Sequence, residues 1–298
     1  MSNPVPKDML SVATRIDVEL HAKNGASKKG SGSGFWVKDA LHHPARFMDF
    51  VTNRHVVDMW YNSRAAGYSL TRVRLQSFDV DGNAFPAFTV ESGYVVVRAP
   101  KNDKLDLALL SFDFDQLASY LHSLPGKQVM LSNADLMDGS DRCKDMPWGA
   151  QISFVSYQAW VDSKVGRPIL RTGTVASDPR HDYQSNEINR DDIYLLEAMS
   201  FAGSSGSLVI ANPEGDPFRN SIKGPGIRPY RPPYIIGIMS GHLRNERDSR
   251  EMYKMHTGLS YCHKVLPLVR ILAGEEEMLT LEGENEILSP WLGYFLRR

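Results

Sequence analysis

The sequence predicts an all-β protein of the barrel or sandwich kind. Three observations carry that reading. Leu10, Val12, Thr14, Ile16, Val18 and Leu20 alternate with Ser11, Ala13, Arg15, Asp17 and Glu19, the period of a strand with one buried face. About a dozen short strand-like runs follow, separated by turn residues. They do not alternate with long helical runs, which argues against an α/β sheet.

In order along the chain, residues 23–33 read as a basic, Gly/Ser-rich turn. Gly34 to Val37 and Asp49 to Thr52 read as strands around a loop over residues 40–48. His55 to Tyr61 reads as one helical turn. Val73 to Val80, Phe85 to Val90, Gly93 to Arg98 and Leu107 to Phe112 continue the strands, with Asp81-Gly82-Asn83 as a hairpin turn. Asp113 to Pro125 reads as a linker of some helical character. Strand-like runs resume at Gln128 to Leu131, Ile152 to Tyr157, Ile169 to Val175, Tyr194 to Ala198, Ser207 to Ile210 and Tyr234 to Met239. Three connections read as long loops: Ser132 to Ala150, Asp178 to Asp192, and the proline-rich Asn212 to Pro233. Cys262 to Ala273 reads as a helix started or broken near Pro267. In the tail, Glu275-Glu276-Glu277 reads as a solvated helix end, and Trp291, Leu292, Tyr294 and Phe295 as docking side chains.

A chain of 298 residues suffices for one or two domains with a buried core. Its formal net charge of −1 gives no electrostatic reason to expect a nucleic-acid or anionic-membrane partner. No run approaches the roughly 18 apolar residues that span a bilayer. The start, Met1 to Asp8, lacks the apolar core of a secretory signal, so a cytoplasmic location is expected. The two cysteines, Cys143 and Cys262, fit a reducing compartment and read as ordinary buried thiols. His42 and His43 lack metal-ligand spacing; no metal and no cofactor are expected.

The chemistry centres on Phe201-Ala202-Gly203-Ser204-Ser205-Gly206-Ser207. Glycines allow a tight loop whose N–H groups converge beside a hydroxyl, which is what an oxyanion hole next to a serine nucleophile requires. Val51-Thr52-Asn53-Arg54-His55 places a histidine at a strand end. Leu105-Asp106-Leu107-Ala108-Leu109 places an aspartate in an apolar strand, where a carboxylate needs a partner such as an imidazole N–H. Ser204 and Ser207 compete with Ser205, and Asp103 with Asp106; Asp103 lies in the polar segment Lys101 to Lys104 and reads as solvated.

Gly32-Ser33-Gly34-Phe35-Trp36-Val37, Thr52-Asn53-Arg54-His55-Val56-Val57, Leu105-Asp106-Leu107-Ala108-Leu109-Leu110, Gly203-Ser204-Ser205-Gly206-Ser207 and Ile236-Gly237-Ile238-Met239-Ser240-Gly241 occur in that order. In these stretches the sequence resembles the trypsin-like (chymotrypsin-fold) serine peptidases, especially bacterial forms of the HtrA and glutamyl-endopeptidase branches. The resemblance implies two six-stranded antiparallel β-barrels with a C-terminal helix and the active site in the crevice between them. His55 and Asp106 would belong to an N-terminal barrel over residues 1–125. Ser205 would belong to a second barrel over 126–273, leaving 274–298 as a tail too short for an appended PDZ domain. The family's G-x-S-G pattern selects Ser205 as nucleophile, with His55 as base, Asp106 orienting it, and the N–H groups of Gly203 and Ser205 as oxyanion hole. Ser207 stands where the family often has a second glycine.

By the same resemblance, Met199 falls at the floor of the specificity pocket, and Ser240, Gly241 and His242 on the strand that pairs with substrate. Met199 and Met239 would make that pocket apolar and favour an uncharged apolar P1 residue. The expected activity is intracellular cleavage of protein or peptide substrates through an acyl-enzyme. With no evident propeptide, activation by a freed N-terminus is not expected; neighbouring loops or an activating protein partner would order Phe201 to Ser205. The rivals are a catalytically silent binding module of the same fold and, among enzymes, an esterase, which the missing α/β alternation disfavours.

Overall fold

A computed structural model describes residues 8–22, 24–38, 48–58, 68–125, 129–158, 161–162, 164–183, 190–215, 230–244 and 256–281. A short helix α1 (Asp8–Val12) leads into β1 (Ala13–Ala22), β2 (Ser27–Lys38), β3 (Asp49–Thr52), the single turn α2 (Arg54–Val57), β4 (Tyr68–Ser77), β5 (Phe88–Glu91), β6 (Val95–Pro100) and β7 (Ala108–Phe112). Helix α3 (Phe114–Ser123), β8 (Leu131–Ser132) and helix α4 (Asn133–Cys143) connect to β9 (Gln151–Ser156), β10 (Ile169–Val175), β11 (Ile193–Glu197), β12 (Leu208–Ala211), β13 (Tyr234–Arg244) and β14 (His256–Lys264). Helix α5 (Val265–Leu272) and β15 (Met278–Leu281) follow.

The first sheet runs β15-β6-β7-β3-β2-β1-β4-β5, with β8 parallel to β2. Strands β7 and β5 stand five places apart, which in a flat sheet is about 24 Å. Yet the rings of Phe112 on β7 and Phe88 on β5 have centroids 5.2 Å apart. The sheet therefore curls on itself, around a core that includes Ile16, Trp36, Phe50, Val73 and Leu110. The second sheet closes completely as β10-β11-β14-β13-β12-β9, a six-stranded barrel filled by Phe154, Tyr194, Ile236 and Met239, among others. Phe35, Val51 and Leu109 of the first sheet meet Leu208, Ile238 and Leu268 of the second half in a shared core that fixes one sheet against the other.

The expected pair of six-stranded barrels thus holds in full for the second sheet, while the first is an open, curled nine-strand sheet. It takes β8 and β15 from beyond residue 125, so sheet membership crosses the boundaries expected at 125 and 273.

Several local readings change. The predicted first strand starts late, because residues 8–12 are helical. The Gly/Ser-rich tract is strand rather than turn over most of its length: a side chain at Gly34 would lie 2.4 Å from the Val51 carbonyl, so glycine is what lets β2 pack against β3. Ser132 to Ala150 contains α4, capped reciprocally by Ser132 and Asp135, with Leu136, Gly139, Ser140 and Cys143 on its buried face. Cys262 lies in β14, and the helix begins only at Val265. The Glu275 to Glu277 run is a turn into β15, with Glu277 paired to Lys101. Most of the loop over 40–48, residues 216–229 of the proline-rich connection and the tail aromatics lie outside the described residues.

Candidate active site

β3 ends at Thr52, and the chain turns through buried Asn53 into α2, which carries His55. Asn53 Nδ2 donates to the Asp106 carbonyl at 2.7 Å, tying this turn to the segment before β7. Asp106 is buried, and its carboxylate is well supplied with donors. Oδ1 accepts the His55 backbone N–H at 3.0 Å; Oδ2 accepts from His55 Nδ1 and from Ser240 Oγ, each at 2.7 Å. Burial alone would raise its pKa. The charge and hydrogen bond of His55, with the Ser240 hydroxyl, outweigh burial and hold the group well below the usual carboxylate range.

The other ring nitrogen, His55 Nε2, lies 2.9 Å from Ser205 Oγ. Asp106, His55 and Ser205 therefore form one hydrogen-bonded chain. With Asp106 ionised, His55 Nδ1 carries a proton and Nε2 is free to accept from the serine.

Ser205 sits in the turn before β12, and both bracketing glycines are required there. Gly203 has φ 94°, and a side chain on it would fall 1.9 Å from the Tyr157 carbonyl. Gly206 has φ 85°, and a side chain would fall 2.0 Å from the Ser33 carbonyl. Ser33 of β2 clamps the turn from the first sheet: its N–H donates to the Ser205 carbonyl at 2.7 Å and its hydroxyl to the Gly203 carbonyl at 2.6 Å. Among the described residues, the N–H groups of Gly203 and Ser205 donate to no protein acceptor.

The rival groups are placed elsewhere. Ser204 is buried, with its Oγ accepting the Phe201 N–H at 3.2 Å. Ser207 is fully buried at the entry to β12, and Asp103 is exposed.

The two methionines expected at the specificity pocket lie in different surroundings. Met239 is fully buried in the barrel core, because β13 turns that side chain inward; its backbone instead pairs with Gly206 and Ser207. Met199 is 45 % exposed. Ser240, assigned to the substrate strand, is buried with its hydroxyl on Asp106. Ser200 Oγ donates to the Gly241 carbonyl at 3.4 Å, and His242 stacks on His256 with centroids 4.5 Å apart. The Phe201 ring also lies 6.0 Å from the His256 ring, and burial lowers the pKa of His256.

Sequence reasoning missed the residues behind Asp106. His263 on β14 is fully buried; its Nε2 accepts the Asp106 backbone N–H at 3.1 Å, so Nδ1 carries the proton and donates to the Asp191 carbonyl at 3.1 Å. Burial pushes its pKa down to about 4, so it is neutral at pH 7. Arg190 Nε lies 4.0 Å from Asp106 Oδ2. The one signal for this shell was a polar residue, His263, inside a strand-length stretch ahead of an apolar helix.

Cys143 and Cys262 are both buried and unbridged, and burial raises the Cys143 thiol to about 12. Among the described residues, no helix is long and apolar enough to cross a membrane, and no three His, Cys, Asp or Glu side chains cluster as metal ligands.

No protein-family model and no curated protein sequence matches the chain. Solved structures do. An HtrA-type protease, AlgW, carrying a serine-to-alanine change and bound to a decapeptide, superposes with a TM-score of 0.51 at 12% identity, over 91% of this chain and 66% of that one. The fold is the chymotrypsin-like double barrel. Deg5 is similar over 88% of this chain and 87% of its own, at 15% identity and a TM-score of 0.43. At such identities the likeness speaks to architecture, and the chemistry has to be argued from the side chains.

Proposed function

We propose that this protein is a serine endopeptidase that cleaves protein substrates through an acyl-enzyme. The observation that carries the reading is the unbroken hydrogen-bonded chain from Asp106 through His55 to Ser205, assembled from two sheets beside two N–H groups with no protein acceptor among the described residues.

In this reading, Ser205 Oγ attacks the scissile carbonyl carbon while its proton passes to His55 Nε2. Asp106 stabilises the resulting imidazolium. The oxyanion receives the N–H groups of Gly203 and Ser205, donors worth about 10²- to 10³-fold each in such sites. Collapse breaks the C–N bond, and His55 returns its proton to the departing amine. Water, deprotonated by His55, then hydrolyses the ester, releasing a carboxylic acid and restoring Ser205. The chemistry needs no cofactor. Buried Ser204 is bonded within its own turn, which supports a loop ordered without insertion of a freed N-terminus. Two buried free thiols fit an intracellular setting.

Cleavage of a peptide library by the wild-type protein and by Ser205→Ala tests this. The expected result is cleavage that falls about a million-fold in the variant. Equal, negligible turnover by both proteins, each folded, would favour the silent binding module of the same fold.

A further inference from the structure

Strand β10 places Arg171 opposite Phe154 of β9. Opposed residues of an antiparallel pair share a face, and Phe154 lies in the barrel core. The Arg171 stem therefore starts from the inward face of the barrel, an unusual direction for a cation. Its guanidinium carbon lies 4.8 Å from the centre of the Phe201 ring, and Nη2 donates to Gln158 Oε1 at 2.7 Å. Burial pulls its pKa below the ordinary arginine value, yet an arginine stays charged near neutral pH.

The two groups it touches flank the turn that carries Gly203 and Ser205. Phe201 opens that turn: its carbonyl accepts the Ser204 N–H at 2.8 Å, and its own N–H donates to Ser204 Oγ at 3.2 Å. Gln158 is buried and follows Tyr157, the wall against which Gly203 packs. Tyr157 N–H donates to the Gly203 carbonyl at 3.4 Å. That wall is fixed from the first sheet. The Tyr157 hydroxyl donates to the Ala13 carbonyl at 2.6 Å, and its ring stacks on Phe78 with centroids 5.8 Å apart.

We propose that Arg171 is a positioning residue for the oxyanion hole: stacked on Phe201 and bonded to Gln158, it ties the turn to its wall and sets the direction of the Gly203 N–H. The inference rests on the reading of that N–H as an oxyanion donor. Such a donor counts when it points at the charge that develops in the transition state. A loosened turn therefore slows the chemical step and leaves reversible binding as it is.

The test is fluorophosphonate inactivation of the full chain, resolved into a reversible KI and a chemical rate kinact. Arg171→Met keeps an aliphatic stem and should lower kinact on the order of tenfold, with KI unmoved. Phe201→Leu should do the same, and the double variant should be no slower than the slower single, because the same contact is lost once. Arg171→Lys keeps a cation over the ring but loses the planar fork, so its kinact should fall between. An unchanged kinact in Arg171→Met, additive losses in the double variant, or a change confined to KI would overturn the proposal. If Arg171→Met does not fold, a fall in Phe201→Leu with a smaller one in Arg171→Lys supports it, and an unchanged rate in both overturns it. If Ser205 never reacts, even in the wild type, the peptidase reading fails. Backbone hydrogen exchange over residues 201–205 then decides the positioning role: faster in Arg171→Met if it holds, unchanged if it does not.

Discussion

The closed barrel joins β9 to β14 in a ring, whereas the first sheet stays open between β15 and β5 and borrows β8 and β15 from the second half of the chain. The two also differ in what they give the site. The sheet carries His55 and Asp106, but the side chains that brace Asp106 come from the barrel: Ser240 on β13 and His263 on β14. The barrel side carries Ser205, but the clamp on its turn comes from the sheet, through Ser33 on β2. Each sheet therefore holds the other's reactive group. The lesson is that this site is only as well ordered as the contact between the sheets, and damage to that contact should cost more than damage to an edge.

The largest effect should come from Gly206→Ala, which drives a side chain into the Ser33 carbonyl and Thr52 hydroxyl where barrel and sheet touch. A loss of stability on the order of 4 kcal/mol, with loss of Ser205 reactivity, is expected from denaturant melts and labelling. Met239→Ala comes next. It empties a fully buried barrel position and should cost about 3 kcal/mol, while P1 preference in a peptide library stays as it was. A changed P1 profile would show that Met239 reaches substrate after all.

A subtler probe is acid. The unfolded chain protonates a histidine near pH 6.5, whereas folded His263 resists until about pH 4. The unfolded state thus binds more protons across that window. The stability that neutral His263 supplies is complete above it and is lost as pH falls through it, by up to about 1.4 kcal/mol per pH unit. Asp106, held low, adds a further loss below the ordinary carboxylate range, near 3.8. His263→Gln keeps an acceptor for Asp106 N–H and a donor for Asp191, so melts of this variant should lose the upper part of the slope.

The smallest effect belongs to the open edge. Lys101 and Glu277 pair at 3.0 Å between β6 and the turn before β15, with both side chains mostly exposed. Lys101→Ala should leave the melting temperature within error.

The sequence made the strand-rich class visible, because alternation along β1 reflects one buried face and the other strands are short apolar runs between turn residues. It made His55, Asp106 and Ser205 visible because each sits in a short local pattern. What it hid was long-range or locally atypical. Helix α4 buries small and polar residues, so its period does not show in hydropathy. Strand β14 buries two polar residues, Ser260 against Ser200 and His263 against Asp106, which breaks the usual alternation. Arg190 and His263 meet Asp106 across separations of 84 and 157 residues, which no local pattern reports. The inward turn of Met239 is likewise set by barrel register, with Met239 opposite Cys262, not by its neighbours in sequence.

The most direct measurement is fluorophosphonate labelling of the purified protein, with the modified residue located by mass spectrometry and Ser205→Ala beside it. The account predicts a single adduct on Ser205, absent from the variant, because the base and the oxyanion donors are already in place. No adduct on the folded wild-type protein, or an adduct on Ser204 or Ser207, would contradict it.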